Sequence, residues 1–171
     1  MTDSEWIVGF HAVLAVLEGN RPVELLWLQD GRRDGRLAKI ESIARNRGLP
    51  LRRVPKRRLD EVASGHPHNG CALRSAPVEL GTIETLVRPE GESASVVLLD
   101  TIDDPHNLGA VVRSAAAFGI DGIVIAGPSA PPLGGAAARA AAGHLERVPV
   151  SYTHLRAHET VLVIAYAVFC L

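Results

Sequence analysis

The chain has 171 residues, of which 47% are hydrophobic and 22% charged, and its formal net charge is −1. This length permits one ordinary domain or two small ones. The composition excludes a disordered chain, and no apolar run reaches the roughly 20 residues that a membrane-spanning helix needs. Two cysteines, Cys71 and Cys170, lie far apart. With no recognisable signal peptide, we expect free thiols in a reducing cytosol.

The first 77 residues alternate predicted helices and strands. After a loose start, a helix is predicted through Leu17, and Gly19 and Asn20 end it. A second helix, predicted over residues 36–47, ends at Gly48. This alternation predicts a small α/β domain over residues 1–77. The other predicted elements are strands over residues 23–28, 50–54 and 71–73, and a short helix over residues 57–63.

Charge is distributed unevenly along the chain. Residues 1–60 carry 12 lysines and arginines against 8 acidic residues, whereas residues 61–171 carry 6 against 11. A basic cluster suits a polyanion such as RNA, because its cations neutralise phosphates and release counterions. Charge alone leaves the alternative open, a solvated helix end and loop. The cluster comprises Arg45, Arg47, Arg52, Arg53, Lys56, Arg57 and Arg58.

A linker and a second α/β segment follow. The glycine, proline and acidic content of residues 78–94 predicts a linker, with a short helix over residues 83–87. Beyond it the order strand, helix, strand, helix, strand predicts a parallel sheet covered on both faces. Asp103 or Asp104 can cap the first helix, with Pro105 in its first turn and Gly119 as its stop. The predicted strands cover residues 96–99, 122–126 and 148–150, and the helices residues 105–118 and 134–145.

The first helix of this segment is nearly all apolar, so we expect it to be buried on most sides. At about 100° per residue, its polar members His106 and Arg113 share one face. A guanidinium stays protonated, and on a mostly apolar helix it requires an anion or several acceptors. A pair with Asp103 or Asp104 is one interpretation of Arg113, and an anionic ligand is the other.

The order of residues in this segment resembles a known family. The string DPHNLGAVVRSAAAFG, followed later by AAGHLERVPV, is similar to the SpoU-type RNA ribose 2′-O-methyltransferases of the SPOUT superfamily. The resemblance implies an incomplete parallel α/β SPOUT (trefoil-knot) domain over residues 95–150, with S-adenosylmethionine as cofactor and no metal. The phrases GFHAV and HPHNGCAL resemble the ribosomal-protein-L30-like RNA-binding domain that some members carry ahead of it.

The resemblance implies a catalytic site that contains Arg113, Asn107 and Glu146. We expect Arg113 to clamp an RNA phosphate and lower the effective pKa of the 2′-hydroxyl, because a guanidinium is a poor base at neutral pH. Asn107 would fix the ribose or hold Arg113, with a simple helix cap as the alternative. Glu146 would orient Arg113, with an unengaged surface glutamate as the alternative.

The HPHNGCAL phrase adds an RNA-binding candidate. His68 and Gly70 are the closest match to the His-x-Gly phrase of the family, so His68 joins the basic cluster as an expected RNA contact. His66 and His68 could also suggest a metal site. We favour a loop, because no carboxylate or cysteine accompanies them at ligand spacing.

After Val150 the sequence departs from the family. The string SYTHLRAHETVLVIAYAVFCL resembles none of its segments, so residues 151–171 are interpreted as a non-family tail. The phrases that hold the cofactor and complete the knot are not found, so no cofactor-binding residue is assigned and this chain is expected to be inactive. Full-length members are expected to form homodimers, largely through knot elements; for this chain the question is open.

Three hypotheses about function follow. The first is S-adenosylmethionine-dependent methyl transfer to an RNA ribose in the cytoplasm, with guanosine of 23S rRNA as substrate and tRNA as the nearest variant. The second is a non-catalytic RNA-binding fragment. The third is a nucleotide-binding α/β enzyme, which would need a glycine-rich turn after the first strand, where TIDDPHN stands instead.

Overall fold

The computed structural model describes residues 4–86, 89, 92–127 and 130–153. Within these residues the chain forms two sheets, one in an N-terminal unit (residues 4–77) and one in a C-terminal unit (residues 95–153). The strands are β1 (Glu5–Val8), β2 (Val23–Gln29), β3 (Leu51–Val54), β4 (Cys71–Ser75), β5 (Val96–Asp100), β6 (Gly122–Ala126) and β7 (Val150–Thr153). The α-helices are α1 (Phe10–Glu18), α2 (Gly35–Asn46), α3 (Lys56–Ala63), α4 (Pro105–Ala117) and α5 (Gly135–Ala140).

The sheet of the N-terminal unit has the strand order β1-β4-β2-β3, with β2 and β3 parallel and the other pairs antiparallel. Its core contains Ile7, Val13, Leu26 and Ile40, which are fully buried. The loose start predicted for residues 1–6 was wrong at Glu5 and Trp6, which begin β1 and pair with β4. A four-residue strand at a chain start is too short for an alternating pattern to identify.

The sheet of the C-terminal unit is parallel, as predicted, with the order β5-β6-β7. Cover on both faces was also predicted, and for β5 this was wrong. β5 is an edge strand whose Val96 and Leu98 are 37% and 40% exposed. β6, the central strand, is buried along its whole length.

α4 buries one face instead of most of its surface, contrary to expectation. Leu108, Gly109, Val112 and Ala115 are buried, while the opposite side of the helix lies open to solvent. The small side chains on that side allow an exposed helix, because alanine buries little apolar area whichever way it points. The polar residues of the open face are therefore accessible.

The predicted ends of α4 are confirmed. Asp104 is the cap, since its Oδ1 accepts a hydrogen bond of 2.9 Å from the backbone N–H of His106, and Pro105 is the first helical residue. Gly119, with φ of 67°, follows the last turn in the left-handed region.

The second predicted helix of this unit is shorter than expected. α5 ends at Ala140, and a turn through Gly143 leads to a 3-10 helix, His144–Glu146. Gly143 has φ of 90°, and a Cβ there would lie 2.6 Å from the Cβ of Ala15 on α1. The chain breaks its helix at the point where the two units meet.

The predicted linker is packed instead of extended freely. Gly81 bridges β7 in parallel through Ser151, and its N–H donates to the carbonyl of Val150 at 2.9 Å. A 3-10 helix over Ile83–Leu86 confirms the short helix expected there. Leu86 is buried, and its side chain lies against Gly122 of β6.

The two units also contact each other directly, since α5 packs against β1 and Ala138 belongs to the core of the N-terminal unit. Residues 151–153, predicted to begin a non-family tail, extend β7 beside β6. The remainder of that tail lies outside the described residues, and the expectation that the knot is not completed stays a prediction. In the part of the chain described, no helix has the length and apolar character needed to cross a membrane.

Candidate functional site

The carboxyl edge of the parallel sheet is the candidate site. β5 ends at Asp100, the chain turns at Thr101 with φ of 53°, and the Thr101 N–H donates to the carbonyl of Ala126 at 3.0 Å. This bond ties the loop to the end of β6. Ligands of parallel α/β sheets bind at this edge, and here α4 begins directly beyond the loop.

Asn107 and Arg113 are both exposed on α4. Arg113 lies on the same face as His106, about 10 Å further along the helix axis. The capping alternative for Asn107 was wrong, because Asp104 is the cap. The carboxylate pair suggested for Arg113 is also not formed: among the described residues its guanidinium has no ion pair or hydrogen bond. Arg113 is therefore a free cation on α4, more than two turns beyond the helix start that lies at this edge.

Glu146 contacts Arg21 instead of Arg113. Its Oε1 lies 3.0 Å from Nη2 of Arg21, which follows α1 in the other unit. Burial raises the pKa of Glu146 above the ordinary glutamate value, and the charge of Arg21 opposes that rise. The expected orientation of Arg113 by Glu146 is thus replaced by an ion pair between the units.

Most of the predicted basic cluster is paired with carboxylates. Arg45 and Arg53 both bind Glu41, at 2.7 and 2.6 Å. Lys56 lies 3.6 Å from Asp60, and Arg57 and Arg58 lie 3.4 and 3.9 Å from Glu61. These pairs are individually weak, and their three carboxylates offset only part of the charge of the five cations.

Arg47 has a structural role that its sequence position does not reveal. Its Nη1 donates to the carbonyls of Leu17 and Gly19, at 2.6 and 3.1 Å. These carbonyls lie at the end of α1, where the last helical carbonyls lack helical partners. The assignment of Arg47 to RNA binding does not fit this geometry.

His68 is buried, and both of its ring nitrogens are engaged. Nδ1 accepts from the Gly70 N–H at 3.0 Å, so Nε2 carries the proton and donates to Asp60 at 3.1 Å. Only 6% of His68 is exposed. The expected RNA contact of His68 is therefore wrong, and this histidine holds the loop that precedes β4.

Three residues that the sequence did not assign to RNA binding lie exposed at the surface, namely Arg33, Arg36 and His66. Arg33 and Arg36 have no carboxylate partner among the described residues, and the Arg36 guanidinium lies 5.5 Å from the centroid of the Phe10 ring. His66 is exposed, with its ring 6.5 Å from that of His106 on α4. Arg33 and Arg36 fell outside the densest run of charge, and no sequence signal linked His66 to α4.

Arg47 and Arg52 are the members of the predicted cluster that lack an ion pair within the described ranges, and Arg52 also lacks the carbonyl contacts that Arg47 makes. The same part of the chain contains no group of three His, Cys, Asp or Glu side chains placed to hold a metal ion. An interdomain cleft of about 380 Å³ opens beside the linker, and it is lined by Arg21, Glu79 and Glu146 among others.

Comparison with known proteins gives two family matches. A family described as RNA 2′-O ribose methyltransferase substrate binding matches residues 6–80, and the SpoU rRNA methylase family matches residues 94–170. The chain is 36% identical over 151 residues to the 23S rRNA (guanosine-2′-O-)-methyltransferase RlmB of Xanthomonas axonopodis, covering 86% of this chain and 61% of that protein. The RlmB protein of Xylella fastidiosa gives 36% over 152 residues, with the same two coverages.

A solved structure is also similar. The rRNA methyltransferase from Sinorhizobium meliloti superposes with a TM-score of 0.72 at 20% identity, covering 90% of this chain and 56% of that one. This likeness confirms the predicted α/β fold. The chain spans about three fifths of the length of the curated relatives. With both halves matched in the same order, the chain belongs to the SpoU family of RNA methyltransferases.

Proposed function

We propose that this protein serves the transfer of a methyl group from S-adenosylmethionine to a ribose 2′-hydroxyl of RNA in the cytoplasm. The observation that carries the proposal is the free Arg113, exposed on the helix that follows the carboxyl edge of the sheet. It lies in the segment that matches the SpoU methylase family. Because RlmB relatives are named for guanosine of 23S rRNA, that nucleotide is the proposed substrate and tRNA the variant.

The cofactor is proposed from the family. A relative in fold is described as bound to AdoMet. Asp100, Asp103 and Asn107, at the described carboxyl edge, are all exposed, and these described residues alone do not enclose a nucleoside-sized ligand. They therefore do not form a cofactor site by themselves.

The residues of α4 can act on the RNA. Arg113 remains protonated, so it would bind the phosphate beside the target ribose and stabilise negative charge on the 2′-oxygen. The Asn107 amide, in the first turn of α4, would hydrogen-bond the ribose. Aligning the oxygen with the methyl donor is mainly a proximity effect. Glu146 would influence the site only through Arg21.

An RNA path can be proposed along one edge of the N-terminal unit. β1 and β2 end where β4 begins, because Val8 pairs with Ala72 and Leu28 with Cys71. The segments after β1 and β2 carry His11, Arg33 and Arg36, and the loop before β4 carries His66. His66 continues this edge to His106 on α4. Unpaired cations and exposed rings suit single-stranded RNA, whose bases stack on imidazole and guanidinium planes.

The test is methyl transfer to RNA. The chain, and a second version joined after Val150 to the C-terminal part of an RlmB relative, are incubated with methyl-labelled S-adenosylmethionine and 23S rRNA. Nuclease digestion and mass spectrometry then locate the label. We expect 2′-O-methylguanosine with the joined version. A methylated base, or no transfer with that version, would overturn the proposal.

A second function is non-catalytic RNA binding. It is favoured by one observation: the substrate-binding match covers residues 6–80, and this unit has its own four-stranded sheet and supplies all of its core cluster except Ala138. Salt-dependent RNA binding by the chain without methyl transfer by the joined version would select it.

The homodimer of the family also stays a proposal, and light scattering of the purified chain would test it.

A further inference from the structure

Arg21 lies between two carboxylates that come from different units. Its Nη1 is 3.4 Å from Oε1 of Glu5 on β1, and its Nη2 is 3.0 Å from Oε1 of Glu146 in the 3-10 helix. Only 8% of Arg21 is exposed. One buried guanidinium therefore connects the N-terminal sheet with the C-terminal unit.

This arrangement is costly, which argues against an incidental contact. Burial raises the pKa of both Glu5 and Glu146, and in each the charge of Arg21 lowers it only in part. Within the described residues, Nε and Nη2 of Arg21 are buried without a hydrogen-bond partner, so the Nη2 contact is an ion pair without hydrogen-bond alignment. Buried ion pairs are weak stabilisers, and their best-attested use is to fix one arrangement among several.

The backbone around Arg21 supports a fixed arrangement. A Cβ at Gly143 would lie 2.8 Å from the carbonyl of His11, and a Cβ at Gly135 would lie 2.6 Å from the carbonyl of Trp6. Both glycines belong to the C-terminal unit and both carbonyls to the N-terminal unit. The two backbones therefore meet without intervening side chains at these two points.

We propose that Arg21 is a positioning residue: by holding Glu5 and Glu146 together it fixes the N-terminal unit on the C-terminal unit. RNA bound along the edge that ends at His66 is then presented to α4, where Arg113 lies. The inference rests on the proposed function, because orientation matters only if both units handle one RNA.

The experiment measures the distance between the units in the full chain. Spin labels are placed on Ser42→Cys of α2 and Phe118→Cys at the end of α4, both exposed positions. Cys170 is replaced by serine. Cys71 can remain, because burial raises the pKa of its thiol to about 12 and keeps it unreactive. Pulsed electron paramagnetic resonance then gives the distance distribution without RNA or cofactor.

The parent is expected to give one narrow distribution, and Arg21→Met a broadened or shifted one. The matched control is Arg147→Met. Arg147 also joins the two units, since its Nη2 lies 3.7 Å from Oε2 of Glu18, but both of these side chains are exposed. We expect this control to leave the distribution unchanged. An unchanged distribution in Arg21→Met would overturn the proposal.

If Arg21→Met does not fold, Glu146→Gln replaces it, since glutamine keeps the shape and removes the charge. A broadened distribution supports the proposal and a parental one contradicts it. In a version that transfers methyl groups, Arg21→Met should raise the KM for RNA by about tenfold with kcat nearly unchanged. The distance is measured without RNA, so its result does not depend on whether the protein transfers methyl groups. Failure of the positioning proposal can therefore be distinguished from failure of the proposed function.

Discussion

The ring of His66, in the loop before β4, lies 6.5 Å from the ring of His106 in the first turn of α4. This relationship brings an exposed loop of the N-terminal unit beside the helix that carries Asn107 and Arg113. The neighbouring His68 points the other way, into the protein, where both of its nitrogens are engaged.

The two histidines should therefore respond differently to substitution. His66→Ala should weaken RNA binding with little effect on the free energy of unfolding, because His66 is exposed. His68→Ala should lower the free energy of unfolding by about 1–3 kcal/mol, because buried hydrogen-bonding groups lose their partners. Filter binding and urea unfolding measure the two effects. The same loss of stability in both variants would contradict these assignments.

RNA affinity should depend on the free arginines more than on the paired ones. Arg33→Ala with Arg36→Ala should weaken binding and reduce its salt dependence, because each free cation displaces counterions from the RNA. The matched control is Arg45→Ala with Arg53→Ala, which removes the same charge from residues paired with Glu41. Titration at several salt concentrations checks this, and equal losses in both double variants would refute it.

The packing of α4 on α5 depends on Gly109. A Cβ there would lie 2.5 Å from the Cβ of Ala140 and 2.6 Å from the carbonyl of Ala137. Gly109→Ala should therefore lower the free energy of unfolding by about 1–3 kcal/mol, the usual cost of overpacking. Gly35→Ala is the control, since nothing lies within 4 Å of its added Cβ. Urea unfolding should separate the two; a harmless Gly109→Ala would show that the helices pack less closely.

Stability should fall with rising pH in a way that depends on Glu146. Burial raises its pKa above 4.5, so the folded chain holds this proton more tightly than the unfolded chain. That contribution is present below pH 4.5 and is lost as the pH rises through the folded pKa. Glu146→Gln cannot titrate, so as the pH rises above 4.5 the parent should lose stability relative to the variant. Unfolding curves across this range measure the difference, and a constant difference would argue against the buried carboxylate.

The sequence predicted local structure better than it predicted pairing. Hydrophobic periodicity and stop signals such as Gly119 located α4 and β6 closely, because these features depend on neighbouring residues. The sequence did not predict the break of α5 before Gly143 or the short strand β1, because both result from contacts between distant segments.

The candidate site divides in the same way. Arg113 stands out on an apolar helix, but its assignment to the site came from the family resemblance and stays a prediction. The engagement of Arg47 by carbonyls of α1 and of Glu146 by Arg21 could not, because both partners lie far away in sequence. A run of basic residues likewise does not reveal which charges their neighbours already neutralise.

The most direct test of the account is the effect of Arg113 on methyl transfer. In the version joined to a relative's C-terminal part, Arg113→Ala should lower kcat for RNA by about 100-fold or more, the scale found when a group that stabilises developing negative charge is removed. Affinity for S-adenosylmethionine, measured by calorimetry, should stay nearly the same. A variant that methylates RNA at the parental rate would remove Arg113 from the site and contradict the account.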